Sequence, residues 1–183
     1  MLSLSLRSAA VDGDRERLRK LLNKVGHHEK DEEGFTPLHY AAWAGDLSLT
    51  ETLVKKSSAN INAKNSSGKT PLHLACSEAR LETAMFLIDS GAQINAKDNI
   101  GYTPLHVAAE ASWGVTGWEG SGGKERPLPE LCSMLLKRGA DPSARDVFGR
   151  TPLDVSTANE QVREMLRIAI AQSNPLFFSS PFH

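Results

Sequence analysis

One nine-residue pattern occurs four times in this chain and limits its fold more than any other feature. The copies are GFTPLHYAA from Gly34, GKTPLHLAC from Gly68, GYTPLHVAA from Gly101 and GRTPLDVST from Gly149. Their threonines lie 34, 33 and 48 residues apart. The first two spacings indicate a repeat of about 33 residues, and the third equals one repeat plus about 15 residues. The sequence therefore predicts stacked repeats, one of which carries an insertion.

Each copy has the residues that a turn followed by a helix requires. An Asp or Asn stands three residues before the Gly, which suits the first and last positions of a type I turn. The Thr hydroxyl can cap the free N–H groups of a helix whose first residue is Pro, already set at a helical φ. Apolar residues at helical spacing, as in LETAMFLI from Leu81, predict a second helix. The turn residues are Asp31, Asn65, Asp98 and Asp146.

These motifs closely resemble the ankyrin repeat. The T-P-L-H-x-A signature recurs together with linkers similar to GADxNAxD, here SANINAKN, GAQINAKD and GADPSARD. The resemblance implies an all-α solenoid of about five stacked helix-turn-helix units with β-turn or hairpin tips. It also implies that His39, His73 and His106 are structural residues that form hydrogen bonds at the start of each first helix.

The predicted boundaries follow the repeat. The first segment is helical in pattern but lacks TPLH, which predicts an N-terminal capping repeat. The last unit has Asp154 in the histidine position and Glu160 where Gly usually ends the first helix, and such polar changes suit a C-terminal cap. The predicted segments are 1–30 (N-terminal cap), 31–64, 65–97 and 98–145 (repeats, the last with an insertion at about 112–126), 146–171 (C-terminal cap) and 172–183 (Pro/Phe-rich tail).

Composition and charge exclude several classes of partner. Lys and Arg total 21 against 22 for Asp and Glu, a net charge of −1, so no overall field attracts nucleic acid or a membrane surface. No stretch approaches the roughly 20 apolar residues of a membrane span. The opening MLSLSLRSAAVDGD lacks a preceding basic region and is a poor signal peptide. Two cysteines cannot form a disulfide framework. We expect a cytoplasmic or nuclear monomer without nucleic-acid or membrane partners.

The glycine-rich insertion SWGVTGWEGSGGKERP does not fit a phosphate-binding loop. Such a loop needs G-x-x-x-x-G-K-[ST] between a strand and a helix. Here Trp118 stands where the first Gly is required, Glu125 stands where Ser or Thr is required, and the stretch follows a helix. An alternative interpretation stays open, in which the insertion or the cluster HHEKDEE (His27 to Glu33) serves a nucleotide- or metal-dependent enzyme.

Other residues of chemical interest have structural explanations. The three repeat histidines would lie about 10 Å apart in stacked units, too far to share a metal ion. Cys76 and Cys132 occupy small or apolar helical positions, which predicts buried, inert thiols. We therefore expect no enzyme activity, no catalytic residue, no metal and no cofactor.

Two features leave further alternatives open. The tail NPLFFSSPFH could attach a scaffold to a membrane, could cover the end of the stack or could be a linear motif. In ankyrin proteins of animals, Asn at the position of Asn95 can be hydroxylated by an oxygenase that prefers Leu eight residues earlier. Leu87 is there, but Gln93 replaces the preferred acidic residue.

The resemblance implies that partners dock on the concave surface formed by turn tips and first helices. The apolar tip residues concentrate towards the C-terminus, where they form an exposed patch or pack against one another. Trp43 either anchors a partner or covers its own helix. The predicted partner-binding residues of the repeats are Phe35, Trp43, Lys69, Glu78, Ile100, Tyr102, Glu110, Val147, Phe148 and Arg150.

The insertion adds two candidates, Trp113 and Trp118, which have no repeat position to fill. A Trp buried at an interface can contribute about 2 to 4 kcal/mol to binding. One interpretation is a second, adaptable binding element, and the other is a loop that folds back over adjacent helices or stays disordered. The function predicted from sequence is a non-enzymatic adaptor, scaffold or inhibitor that binds another protein.

Overall fold

The computed structural model describes residues 2–22, 30–56, 59–110, 128–156 and 159–173. Within these ranges the regular elements are helices. They are α1 (Leu2–Val11), α2 (Arg15–Leu22), α3 (Pro37–Ala44), α4 (Leu47–Lys56), α5 (Pro71–Ser77), α6 (Leu81–Asp89), α7 (Pro104–Glu110), α8 (Leu128–Lys137), α9 (Pro152–Val155) and α10 (Glu160–Ser173).

The helices form five pairs that stack in chain order. Each odd-numbered helix packs against the next even-numbered helix to make one unit. The first helices α1, α3, α5, α7 and α9 also contact one another in sequence, and α4, α6, α8 and α10 do the same on the other side. The predicted all-α solenoid of about five units is thereby confirmed.

Thr, Pro and His start the first helix of each repeat. In the second unit the Thr36 N–H donates to His39 Nδ1 at 3.0 Å, and the Thr36 hydroxyl lies 2.8 Å from the same nitrogen. In return, Thr36 Oγ1 accepts from the His39 N–H. His39 Nε2 lies 3.0 Å from the Lys69 carbonyl oxygen of the next unit. A carbonyl only accepts, so Nε2 carries the proton and Nδ1 accepts. The predicted cap is confirmed.

The tips are the tight turns that the sequence predicts. At the fourth unit Gly101 donates its N–H to the Asp98 carbonyl at 3.0 Å, while Asp98 Oδ1 accepts from the N–H groups of Ile100 and Tyr102. Gly101 has φ +81°, and a Cβ there would lie 2.9 Å from Asp146 Cα in the next tip. Only Gly suits both the turn and this close approach.

Backbone hydrogen bonds join each tip to the next. The Ser66 N–H donates to the Glu33 carbonyl at 2.9 Å, and the Asn99 N–H donates to the Ser67 carbonyl at 3.0 Å. The Val147 N–H donates to the Ile100 carbonyl at 3.0 Å. The tips of the second to fifth units therefore form one connected row.

The core runs through the stack as two clusters. The larger extends from α3 to α10 and includes both cysteines, and the smaller joins α1 and α2 to α3. Cys76 and Cys132 have no exposed surface, and burial raises the pKa of both thiols, that of Cys132 to about 12. The expectation of buried thiols is confirmed.

The last unit differs from the sequence expectation. Its first helix, α9, ends at Val155, and the Ser156 N–H closes the final turn on the Pro152 carbonyl at 3.2 Å. Glu160 does not end this helix but begins α10, because Asn159 Oδ1 caps the Val162 N–H at 3.0 Å. α10 continues to Ser173, two residues into the segment assigned to the tail.

The insertion interrupts a unit between its two helices, as the spacing predicts. α7 ends at Glu110 and α8 begins at Leu128, so the extra residues separate a first helix from its partner. Residues 111–127 themselves lie outside the described ranges. Among the residues that the structure describes, no helix is long and apolar enough to cross a bilayer.

Candidate protein-binding surface

Exposed apolar side chains concentrate at the two C-terminal tips. In the described part of the chain the exposed large hydrophobic residues are Ile100 (44%), Val147 (63%), Phe148 (71%) and Ile168 (49%). The first three belong to the tips of the fourth and fifth units, which the hydrogen bond from Val147 to Ile100 holds together. The exposure expected for these three is confirmed, and we call them the C-terminal tip patch.

Tyr102, the fourth residue expected in this patch, is instead buried, with 5% exposure. Its ring stacks on His106 with 5.2 Å between ring centroids, and the Arg150 guanidinium carbon lies 5.7 Å from the centre of the Tyr102 ring. Its hydroxyl donates to Glu110 Oε1 at 3.3 Å, and burial is the main cause that raises its pKa. Two neighbouring units enclose the ring, so Tyr102 supports the surface from beneath.

Asp146 fixes the last tip and holds Arg150 against the patch. Asp146 Oδ1 accepts from the N–H groups of Phe148 and Arg150 at 2.8 Å each. Its Oδ2 accepts from Arg150 Nε at 2.8 Å, while Arg150 Nη2 donates to the Tyr102 hydroxyl at 3.1 Å. Burial alone would raise the pKa of Asp146, but these hydrogen bonds hold it below the usual range.

Arg150 also covers one face of the most exposed side chain in the patch. Its guanidinium carbon lies 4.9 Å from the centre of the Phe148 ring, within cation–π distance. The repeat pattern predicts Asp146 only as a turn residue, without its bond to Arg150. The signal was present, since DVFGR puts the carboxylate and the guanidinium at the two ends of one tight turn.

Phe35, expected at the surface, is also buried, with 8% exposure. Its ring stacks on those of Tyr40 and Trp43, with 5.4 and 6.0 Å between centroids. Arg7 of α1 lies 5.0 Å from the ring centre and pairs with Glu33 at 2.6 Å. The N-terminal unit thus covers this aromatic cluster. The role of Arg7 was missed because its unit lacks the TPLH pattern that sets the register.

Trp43 covers its own unit more than it projects from it. It is partly buried against Phe35, and its carbonyl accepts from Arg80 Nε at 3.2 Å. Lys69 and Glu78 are half-buried, and Glu110 is exposed. Trp113 and Trp118 lie outside the described residues, as do the tail from residue 174 and the first three residues of the HHEKDEE cluster, 27–29. Partner binding by the predicted residues stays a prediction.

Metal binding and hydroxylation of Asn95 are the two chemical possibilities that the described residues bear on. Within the described ranges no group of three or more His, Cys, Asp or Glu is arranged to hold a metal ion. Asn95 is exposed, and its side chain joins two units: Oδ1 accepts from the Asp141 N–H at 2.9 Å and Nδ2 donates to the Gly139 carbonyl at 3.1 Å. Hydroxylation of Asn95 stays a prediction.

Comparison with known families gives one consistent result. A family model described as "Ankyrin repeats (3 copies)" matches residues 6–98 and 59–115, and one described as "Ankyrin repeat" matches residues 100–147. Together these matches extend over well more than half of the chain.

Several curated proteins are similar to this chain. Protein phosphatase 1 regulatory subunit 27 of Mus musculus is 35% identical over 81 residues, which cover 43% of this chain and 52% of the relative. Ankyrin repeat and SOCS box protein 3 of Homo sapiens is 29% identical over 170 residues, covering 81% and 33%. The BTB/POZ domain and ankyrin repeat-containing protein NPR3 of Oryza sativa subsp. japonica is 44% identical over 54 residues, covering 30% and 9%. The chain thus spans about half or less of each relative.

Proposed function

This chain belongs to the ankyrin-repeat family, whose stacked units form a protein-interaction module, and we propose that it binds a protein partner through its concave face. The main contacts are the C-terminal tip patch and Arg150. The module acts without catalysis, as an adaptor, scaffold or inhibitor. It works as a monomer in the cytoplasm or nucleus, without a nucleic-acid or membrane partner.

The tip patch is the observation that carries this proposal. Phe148 is 71% exposed and Val147 is 63% exposed, although moving a large apolar side chain out of water lowers the free energy. Contiguous exposed apolar residues surrounded by polar ones are typical of interaction sites. Outside this patch, the other exposed large apolar side chain among the described residues, Ile168, belongs to α10 and not to a tip.

The support beneath the patch favours binding. Asp146 and Tyr102 hold the Arg150 side chain, and the tip backbone is fixed by Asp146. A surface that is already ordered loses less conformational entropy when a partner binds. Arg and aromatic side chains are also over-represented among the residues that contribute most to binding.

The relatives agree with a binding role. Protein phosphatase 1 regulatory subunit 27 is named as a regulatory subunit, and it is 35% identical to this chain over 81 residues. By analogy, this chain regulates or connects another protein that it contacts directly. The insertion, with Trp113 and Trp118, supplies a second contact.

The proposal is tested by affinity capture from lysate with quantitative mass spectrometry. The tip variant is Val147→Ser/Phe148→Ser, and the insertion variant is Trp113→Ala/Trp118→Ala. The matched control is Ile168→Ser, which changes an exposed apolar residue of α10 away from the tips. All proteins must first show wild-type helicity and melting temperature.

We expect the tip variant to capture at least about tenfold less of the principal partner than the wild type, because it lacks a binding hot spot. The control retains that partner. If the tip variant retains the partner and only the insertion variant loses it, recognition lies in the insertion and the concave-face proposal is wrong.

A further inference from the structure

The two residues at the apex of each tip change character along the stack. From the second to the fifth unit these pairs read EE, SS, NI and VF in the one-letter code. All eight side chains are exposed. The row therefore begins with Glu32 and Glu33, passes through small polar residues and ends with Val147 and Phe148. We call this row the apex ridge.

The ridge is continuous because its backbone is connected. Hydrogen bonds of 2.9, 3.0 and 3.0 Å link each apex to the next one. Neighbouring helices pack about 10 Å apart, so three steps give a ridge of about 30 Å. An extended peptide, at about 3.3 Å per residue, spans this length with about nine residues.

The acidic end of the ridge remains available to a partner. Glu32 is exposed, and the Glu33 side chain is 57% exposed although Arg7 pairs with one of its oxygens. Lys30, which precedes the acidic turn, donates through Nζ to the Lys64 carbonyl at 3.4 Å. Lys64 Nζ donates to the Lys97 carbonyl at 2.7 Å, and Lys97 Nζ donates to the Arg145 carbonyl at 2.9 Å.

We propose that the partner places a linear segment along the apex ridge, with basic side chains at Glu32 and Glu33 and an apolar side chain at Phe148. This inference rests on the proposed function and specifies the chemistry of its partner. Charge complementarity sets the orientation of the segment, because a reversed segment brings its basic groups to the apolar end and leaves both glutamates unpaired. A nucleic-acid backbone does not match a ridge whose first apex is acidic.

A random peptide library displayed on phage tests the proposal, with the full chain as bait. Three variants are selected in parallel with the wild type: Glu32→Lys, Glu32→Lys/Glu33→Lys and Val147→Ser/Phe148→Ser. The matched control is Ile168→Ser, which changes an exposed apolar residue of α10 outside the ridge. Glu32→Lys alone leaves the pair between Arg7 and Glu33 intact, so it remains informative if the double variant loses stability.

The wild type is expected to enrich peptides with Lys or Arg about nine residues from an aliphatic or aromatic residue. Both lysine variants should bind those peptides at least about tenfold more weakly and enrich acidic residues instead. The serine variant should lose the apolar preference, and the control should enrich the same peptides as the wild type.

Two results overturn the inference. One is a wild-type selection without enrichment, and the other is enrichment that none of the ridge variants alters. Capture from lysate then separates the two proposals. If the tip variant still loses the partner, concave-face binding holds and only the chemistry assigned to the segment is wrong. If it retains the partner, both are wrong.

Discussion

At the scale of single residues, the three repeat histidines connect the units. His39, His73 and His106 each accept from the preceding Thr N–H through Nδ1. Through Nε2 each donates to a carbonyl of the following unit, at 3.0 to 3.1 Å. Both bonds require a neutral ring with its proton on Nε2. Burial is the largest cause that lowers the pKa of all three, that of His39 to about 4.

The histidines should make stability depend on pH. In the unfolded chain they titrate near pH 6.5, so between pH 6.5 and the lower folded pKa unfolding takes up protons. Their contribution is complete above about pH 6.5 and is lost as the pH falls from there towards the lowered folded pKa of each ring. Urea unfolding from pH 7 to 5 should show the free energy of unfolding falling by up to about 1.4 kcal/mol per pH unit for each histidine.

The variant His73→Gln isolates one of these groups. It removes a single titrating ring, so the slope between pH 7 and 5 should be smaller than in the wild type. Carboxylates with lowered pKa, such as Asp154, act at lower pH and do not enter this window. An unchanged slope would mean that His73 does not stay neutral in the folded chain.

At the scale of elements, α10 packs one face against the core at the end of the stack and exposes the other. Leu166 has no exposed surface and belongs to the main core, whereas Ile168, two residues later, is 49% exposed. Leu166→Ala should lower the free energy of unfolding by about 2 to 5 kcal/mol because it leaves a cavity. Ile168→Ala, on the same helix, should cost less than about 1 kcal/mol.

Chemical denaturation of both variants provides the measurement. Equal losses for the two substitutions would show that α10 does not pack as described. Both changes introduce Ala, the best helix former, so the helix propensity of the new residue is the same in the two variants.

The elements were predictable where local chemistry alone determines them. Thr36, Pro37 and His39 contain the whole signal for a helix start, and Asp98 with Gly101 contains the signal for a turn. The end of α9 was not predictable, because it depends on Asn159 offering a better cap for α10 than the repeat pattern provides. For the candidate binding surface, the sequence predicted only which repeat positions face outward.

Burial within that register depends on which neighbouring unit covers a side chain. Phe35 is covered by Arg7, from a unit without the motif. Tyr102 is covered by Arg150, which the insertion moves 48 residues away in sequence. Repeat spacing identifies a position that faces the surface but does not identify a long side chain from a neighbouring unit that closes over it.

At the scale of the whole molecule, stability is a sum over units and their neighbours. Among the described helices each unit packs mainly against the adjacent ones, so a central unit has two interfaces and a terminal unit one. Amides of α5 and α7 should therefore exchange with deuterium more slowly than those of α2 and α10. Native-state hydrogen exchange followed by mass spectrometry measures this order. Equal protection in all four helices would show that the stack opens only as a single unit.

The link from each histidine to the following unit also bears on how such a gene can change. Because the same bond recurs at three successive junctions, duplication of one complete unit sets a new histidine beside a suitable carbonyl without a new kind of contact. Loss of part of a unit leaves a ring or a carbonyl unmatched. The row of tips therefore grows or shortens in whole repeats, and its recognition properties change two apex residues at a time.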